Sequence, residues 1–346
     1  MDLTLNVLYQ SDDTYAPITG VSILSLFKTN SRDRLLISIY CIDDGLSEEN
    51  RNKIIQIVEE NHGQITFLDL RFAVKLLQES VVDTVRGRYT AYLKLFAIHQ
   101  LPQEVKRIMS FDSDTIVVGD VYCQMDIDLY GNIIGAERAK FYCNKGKKTK
   151  GLVFDFFSLP GCIVDVARWK NEDVHNSLLS QLSQLPTAPF CNDEGLVNFN
   201  EKLRGRIMPI HPKFNIRRIY SLFSSATISK YFRRYTGMYS PEELEEIRKD
   251  PRVYHCMGVL LERPWHKNSI HPDVKMFDDY IAMSPWKGTQ KKKAPKNFVF
   301  AVGKILYYIL PRPLFGCIYA WQTGRLMTPQ TAELLVEAGL QSKKEV

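Results

Sequence analysis

Val105-Lys-Arg-Ile-Met-Ser-Phe-Asp112-Ser113-Asp114-Thr-Ile-Val-Val-Gly-Asp120 is the stretch from which this chain can be read. An apolar, strand-like run leads into two carboxylates, and a second β-branched run follows. Residues i and i+2 of an extended chain point to the same side, so Asp112 and Asp114 are expected to converge. Hard oxygen ligands held that way suit Mn²⁺ or Mg²⁺, with a substrate diphosphate completing the shell. An Asp-Ser-Asp tripeptide is also an ordinary solvated turn, so the rest of the chain has to decide between the two.

Outward from that stretch, the first third alternates strands and helices. Residues 3–9 read as a strand, broken by Ser11-Asp12-Asp13-Thr14-Tyr15. Residues 17–29 read as a helix with its apolar face at Ile18, Val21, Leu24, Ser25 and Leu26. A strand over 35–42 ends at Asp43-Asp44-Gly45. Ser47 is placed to cap the next helix, with Asn50 where a capping box has Glu, and the helix runs over 52–61. A third strand covers 65–70, and a helix over 89–100 feeds the strand before Asp112. This alternation is the mark of a parallel α/β sheet. Beyond residue 150, strands are expected at 152–157 and 161–166, mostly helix over 167–184, and a short helix from Asp193 to Asn200. Ser240 and Pro241 give a strong N-cap and first turn to a helix over 241–249. A strand over 253–258 ends at a glycine.

With 346 residues, 45% hydrophobic and 24% charged, the chain is long enough for one large core and too apolar for wholesale disorder. The seven cysteines are odd in number and show no C-x-x-C spacing. They read as reduced, buried small hydrophobes. The N-terminal residues lack a basic region followed by a long apolar core, so no signal peptide is expected. The net charge of +6 is uneven, with six Lys/Arg and no acid between Arg138 and Lys150. Anionic partners fit such patches. No nucleic-acid recognition motif accompanies them.

The last segment, 288–346, reads as a separate basic and aromatic tail. A polar linker over 285–296 carries Lys291-Lys292-Lys293, and two apolar stretches follow at 297–310 and 314–321. The first is too short for the ~20 residues that span a bilayer. A basic run before an aromatic amphipathic helix fits a segment lying in a membrane interface, or a helix docked on the core.

In this order the motifs resemble glycosyltransferase family eight, the retaining enzymes that include bacterial lipopolysaccharide glucosyl- and galactosyltransferases and glycogenin. The resemblance covers roughly residues 3–287. It implies an α/β fold of the GT-A type, a Rossmann-like mixed sheet flanked by helices, with the tail appended. The stretch Ser11-Asp12-Asp13-Thr14-Tyr15 is similar to the family's turn that holds the uracil and ribose of a UDP-sugar. Ala91-Tyr-Leu-Lys94-Leu is similar to its Tyr-Tyr-Arg-Leu helix, with Lys94 in place of Arg, which keeps the charge and loses the bidentate geometry. Residues 108–119 match its Leu-Asp-x-Asp-x-x-Val core. The resemblance makes Asp112 and Asp114 ligands for Mn²⁺ (or Mg²⁺) and sets Ser113 at the donor.

His255-Cys-Met-Gly258 followed by Arg263-Pro264-Trp265 resembles the family's His-x-x-Gly-x-x-(Lys/Arg)-Pro-Trp, with two extra residues before Arg263. It implies His255 as third metal ligand, Gly258 opening the backbone to phosphates, and Arg263 on the leaving group. Asn192-Asp193-Glu194-Gly195 resembles the stretch that lines the transferred sugar, with Glu194 for the usual Gln and Gly195 for a second Asp. Asp193 and Glu194 are therefore the catalytic candidates. Glu194 could act as nucleophile, as stabiliser of an oxocarbenium-like transition state, or as acceptor for a sugar hydroxyl. The family's Phe-Asn-(Ala/Ser)-Gly appears as Phe157-Ser-Leu159-Pro-Gly161, with Leu159 in the place of the donor-contacting Asn.

The function so implied is retaining, metal-dependent transfer of a hexose, glucose or galactose, from a UDP-hexose to a glycan or lipid-linked cell-envelope acceptor. The setting is cytoplasmic, peripheral on the inner face of the membrane through the tail. Two other classes remain open: a non-catalytic UDP-sugar-binding paralogue, and a nucleotidyltransferase, for which no early Gly-rich phosphate cradle is present.

Overall fold

The computed structural model describes residues 3–80, 89–142, 153–184, 192–232, 239–257, 262–295 and 297–323. Gly258, most of the basic stretch between Arg138 and Lys150, and the tail after residue 323 lie outside the described residues. In chain order the elements begin β1 (Leu3–Ser11), α1 (Ala16–Asn30), β2 (Leu35–Asp43), α2 (Glu48–Glu60), β3 (Gln64–Leu68), α3 (Arg71–Gln78), α4 (Thr90–Gln100), β4 (Arg107–Ser110) and β5 (Thr115–Val117). Then come β6 (Ile134–Tyr142), β7 (Val153–Asp165), α5 (Val166–Asn171), α6 (Val174–Gln184), α7 (Asn192–Phe199), β8 (Ile207–Ile210), β9 (Ile216–Arg217), α8 (Ile219–Leu222) and α9 (Ser225–Tyr231). The last are α10 (Pro241–Lys249), β10 (Val253–His255), α11 (Val274–Ala282), α12 (Phe298–Ile309) and α13 (Arg312–Thr323).

Seven strands form one mixed sheet in the order β3-β2-β1-β4-β7-β6-β8. β3, β2, β1 and β4 run parallel, and β7 is antiparallel to both β4 and β6. The chain builds outward from β1 to β3 and then returns to place β4 on the other side of β1. Such a reversal leaves a crevice at the C-terminal ends of the two strands. Ser11–Tyr15 leaves β1 at that crevice, and Asp112 leaves β4 there.

Alternation along β1 sends Leu5, Val7 and Tyr9 into one apolar layer and Leu8 into the other, as the two-residue period of a strand requires. The first layer holds α1 and α2, and the second holds α4 to α7 around Trp169. The helix expected over 17–29 is present, but it is not one-faced. Thr19, Gly20, Ser22 and Ile23 are buried along with the expected positions: Trp286 covers Gly20, Thr19 bonds to Ser11, Ser22 meets Thr115, and Ile23 enters the layer under β1. A Cβ on Gly20 would stand 2.2 Å from the Trp286 ring.

Two other expectations change. The strands at 152–157 and 161–166 are one strand, β7, and the described part begins at Val153. Its register against β6 jumps from Ser158 opposite Glu137 to Ile163 opposite Gly135, so the residues between form a bulge. Pro160 cannot donate to a ladder, and Gly161 has φ +74°, so the turn signal marks the bulge and not a strand end. The helix expected over 167–184 is broken into α5 and α6 at Asp173, which has φ 57°.

The tail is tied down at the linker. Trp286 is buried, Lys291 Nζ donates to Pro264 O at 2.9 Å, and Lys267 N donates to Lys292 O at 2.8 Å. Phe315, Tyr319 and Ala320 of α13 are buried in a third apolar cluster with α8, α9 and α10. No helix among the described residues is long and apolar enough to cross a membrane.

The bulge yields a test. A Cβ on Gly161 would stand 2.1 Å from Phe214 O, whereas at Gly205, φ +72°, there is open space. Gly161→Ala is expected to cost about 2–4 kcal/mol and Gly205→Ala about 1 kcal/mol. Urea unfolding of the two variants measures the difference, which isolates the clash from the backbone strain common to both.

Candidate active site

Asp112-Ser113-Asp114 is where the chain leaves one sheet for another. β4 ends at Ser110 in the seven-stranded sheet, and β5 starts at Thr115 in a small sheet of order β5-β10-β9. The tripeptide is a turn, not the extended segment expected from its flanks. The carboxylates converge because the turn is held from both sides. Ser113 Oγ donates to Gln10 O, and Thr115 Oγ1 donates to Asp112 O at 2.8 Å.

β10 pairs antiparallel with β5, setting His255 opposite Thr115, and Cys256 N donates to Asp114 O at 2.8 Å. His255 Nε2 thereby lies 3.1 Å from Asp114 Oδ1. One ligand atom from each of Asp112, Asp114 and His255 falls within 4.8 Å of the others. Two carboxylates and an imidazole fit a small divalent cation, with open positions for oxygens of a substrate.

Two cations of the protein already neutralise this cluster. Lys94 Nζ, buried on α4, lies 2.9 Å from Asp112 Oδ1 and 2.8 Å from Asp193 Oδ2. Burial disfavours its charge, yet the two carboxylates outweigh burial and hold the ammonium above the ordinary lysine range. Arg263 lies 2.6 Å from Asp114 Oδ2 and donates to Cys256 O at 2.6 Å. Burial also works against the Asp114 charge, but His255 and Arg263 prevail and keep its carboxyl below the usual range. For Asp193 burial wins: its carboxyl is pushed up to about 6, with Glu194 and Asp112 adding to the rise and Lys94 opposing it.

Glu194 follows Asp193 on α7 and reaches the β7 bulge. Its Oε1 accepts from Ser158 Oγ at 2.6 Å and from Leu159 N at 3.2 Å. Leu159 itself is buried in the core, so this stretch meets Glu194 through its main chain and Ser158.

The turn after β1 is also engaged. Ser11 is buried and accepts from Thr19 Oγ1 at 2.9 Å, and Asp12 Oδ1 accepts from Tyr15 N at 2.8 Å. Asp13 Oδ1 accepts from Ser47 N and Asn50 Nδ2, both at 2.8 Å, which lowers its carboxyl to about 2. Asn50 in turn accepts from Trp286 Nε1 at 2.8 Å.

A cavity of about 1100 Å³ opens beside this turn, lined among others by Asp13, Thr14, Tyr15, Arg263, Trp265 and Lys292. Ser11, Asp12, Lys94, Ser113 and the Asp112–Asp114–His255 cluster stand outside its lining. Arg263 joins the two regions. Several residues here had no signal of their own. Asn50 read only as an imperfect capping position. Asn215, Glu137 and Arg217, which stand behind His255, had no reading, although a lone acid in the apolar run Ile133-Ile-Gly-Ala-Glu137 marks a buried charge in need of partners.

The profile of the family "Glycosyl transferase family 8" matches residues 6–269, and the chain belongs to that family. It is a glycosyltransferase. It is 25% identical over 300 residues to the lipopolysaccharide 1,2-glucosyltransferase of Escherichia coli (strain K12), covering 86% of this chain and 83% of that protein. A shorter match, 31% over 124 residues, links it to glycosyltransferase GlyF of Streptococcus pneumoniae serotype 4, over 36% of this chain and 29% of that one. Among solved structures it is similar to the galactosyltransferase LgtC in complex with donor and acceptor sugar analogs. There the TM-score is 0.59 at 17% identity, over 81% of this chain and 96% of that one. The sheet and its flanking helices are thus of the GT-A type.

Lys94 carries the expected outcome for this site. Lys94→Met leaves two largely buried carboxylates without their shared cation, and breaking a buried pair in this way costs about 3–5 kcal/mol. A urea midpoint unchanged from wild type would show that the two carboxylates do not depend on it.

Proposed function

We propose that this glycosyltransferase transfers a hexose, glucose or galactose, from a UDP-sugar to a glycan or lipid-linked cell-envelope acceptor with retention of configuration. The observation that carries the proposal is the convergence of Asp112, Asp114 and His255 beside a cavity walled by the Asp13–Tyr15 turn. The named activities of its relatives, a lipopolysaccharide glucosyltransferase and a galactosyltransferase, support a hexose donor.

In this reading Asp112, Asp114 and His255 hold a divalent cation, Mn²⁺ or Mg²⁺. When bound, the ion supplies positive charge to the leaving diphosphate. Arg263, at the junction of cluster and cavity, adds positive charge on the leaving side. Residues Ser11 to Tyr15 hold the nucleoside, with Tyr15 edge-on to Trp265 at 6.2 Å, and Ser113 faces the donor; Gly258, outside the described residues, is assigned to the phosphates by the family resemblance alone. Asp193 orients the sugar, and Lys94 keeps Asp193 and Asp112 in register. Glu194 is held by Ser158 and the Leu159 main chain so that one carboxylate oxygen remains for the sugar.

UDP release from a panel of UDP-sugars with Mn²⁺ tests the proposal. One donor should be hydrolysed slowly without acceptor, with a loss of at least about 100-fold in Asp114→Ala and under chelation. UDP binding with silence over donors and a broad acceptor panel would instead favour a non-catalytic binder. Pyrophosphate release would indicate nucleotidyl transfer, and a product of inverted anomeric configuration would end the claim of retention.

The tail belongs to the same proposal. α12 and α13 bury one side on the body and leave Phe298, Ile305, Tyr308, Ile309, Leu314 and Trp321 exposed. An apolar, aromatic row following a basic segment supports a membrane interface as its partner. The enzyme should float with vesicles containing anionic lipid. Ile305→Glu with Trp321→Glu should weaken partitioning at least about tenfold, and equal flotation of that variant would remove the membrane from the reading.

A further inference from the structure

The imidazole of His255 is gripped from behind. Its Nε2 faces Asp114, while Nδ1 lies 3.1 Å from Asn215 Oδ1. An amide has a donor end and an acceptor end, and its orientation decides which ring nitrogen carries the proton. The surroundings of Asn215 leave no choice. Asn215 Nδ2 is 2.6 Å from Glu137 Oε2 and 3.4 Å from Ser158 Oγ. With the Arg217 guanidinium 3.6 Å away and Tyr220 Oη donating to it, Glu137 is placed as a carboxylate that accepts, so the nitrogen end of the amide faces it. The oxygen end then faces His255, and only a protonated Nδ1 can meet it.

Glu137 is itself locked. It is 1% exposed, accepts from Tyr220 Oη at 3.0 Å, and lies 3.6 Å from Arg217 Nε. Arg217 also donates to Ser158 Oγ at 2.9 Å, the same hydroxyl that donates to Glu194. Main-chain pairing aligns the two partners: β9 runs parallel to β10, with Ile216 beside Tyr254 and Arg217 beside His255. Asn215, one residue before β9, is therefore delivered to the back of the ring by the same ladder that positions the ring.

We propose that Asn215, oriented by Glu137, is a positioning residue. It keeps a proton of His255 on Nδ1, so that Nε2, which faces Asp114, is the nitrogen left to offer its electron pair when a cation binds between the carboxylates. Metal-bound imidazoles depend on such partners for tautomer and ring orientation. The inference rests on the metal reading above but makes a separate statement about the proton, and the two can fail separately.

Two measurements on the full chain test it. The first is ¹⁵N NMR of histidine-labelled, metal-free protein, with His255 assigned by loss of its signals in His255→Gln. The wild-type Nδ1 should carry a proton, as its contact with Asn215 Oδ1 requires. Asn215→Leu, which can neither donate nor accept, should shift the neutral ring toward the Nε2–H form. A wild-type Nδ1 without its proton overturns the inference, whether or not metal binds. The second is Mn²⁺ affinity, read by the EPR signal of the free ion. Asn215→Leu is expected to weaken binding about 10–100-fold. Glu137→Gln should weaken it less, because a Gln amide can both donate and accept and no longer dictates the orientation of Asn215. Unchanged affinity in folded Asn215→Leu overturns the inference. No Mn²⁺ binding by wild type would sink the metal reading while the NMR result still decides the role of Asn215. If Asn215→Leu does not fold, the wild-type NMR and Glu137→Gln carry the test.

Discussion

Three residue pairs between β5 and β10, Val117 with Val253, Ile116 with Tyr254 and Thr115 with His255, hold together parts of the chain that are far apart in sequence. They place an imidazole against a carboxylate of the turn that joins the two sheets. The strand segments are short, and short ladders are weak alone. Their support is apolar: Val117 and Val253 enter the layer beneath β1, and Ile116 packs with Ile18, Val21 and Phe277. Val117 N also donates to Ser25 Oγ at 2.9 Å. The site geometry is therefore a consequence of how α1 packs, which explains why that helix is buried on nearly every side.

Electrostatics sets the second constraint. Carboxylates removed from water need nearby positive charge. Lys94 serves Asp112 and Asp193 at once, and Arg263 serves Asp114. Each comes from a different element: α4, and the segment that follows β10. A divalent cation at the cluster would join a site whose charges are already close to balance. Its affinity would thus depend on how far Lys94 and Arg263 yield the carboxylate oxygens that they now occupy. Burial pushes the Asp193 carboxyl upward although Lys94 stands beside it, whereas Asp114, with both Arg263 and His255 at hand, is held low.

The C-terminal segment is part of the body as much as an appendage. Trp286 covers Gly20, donates to Asn50, and through Asn50 reaches Asp13 in the turn after β1. Residues 287 to 293 and Pro295 wall the cavity. Asn297 and Phe300, at the start of α12, line the same cavity.

Much of this was legible in the chain. The alternation of strands and helices over the first third follows from period-2 and period-3.6 patterns that local sequence dictates. Ser240 with Glu243 forms the capping box that Ser-Pro-Glu-Glu encodes, and the Asp-Ser-Asp core and the His255 stretch are local motifs. Local sequence did not reveal that 112–114 is a turn between sheets, that β7 bulges and does not end, or that Asn215 and Glu137 stand behind His255. Those depend on which strands lie side by side and on which buried polar groups must find one another, and both arise only when distant segments share a core. The sequence alone determined the kinds of elements and the chemistry available to them. The tertiary structure decided which donor faces which acceptor, because hydrogen-bond polarity and buried charge are satisfied between neighbours in space and not along the chain.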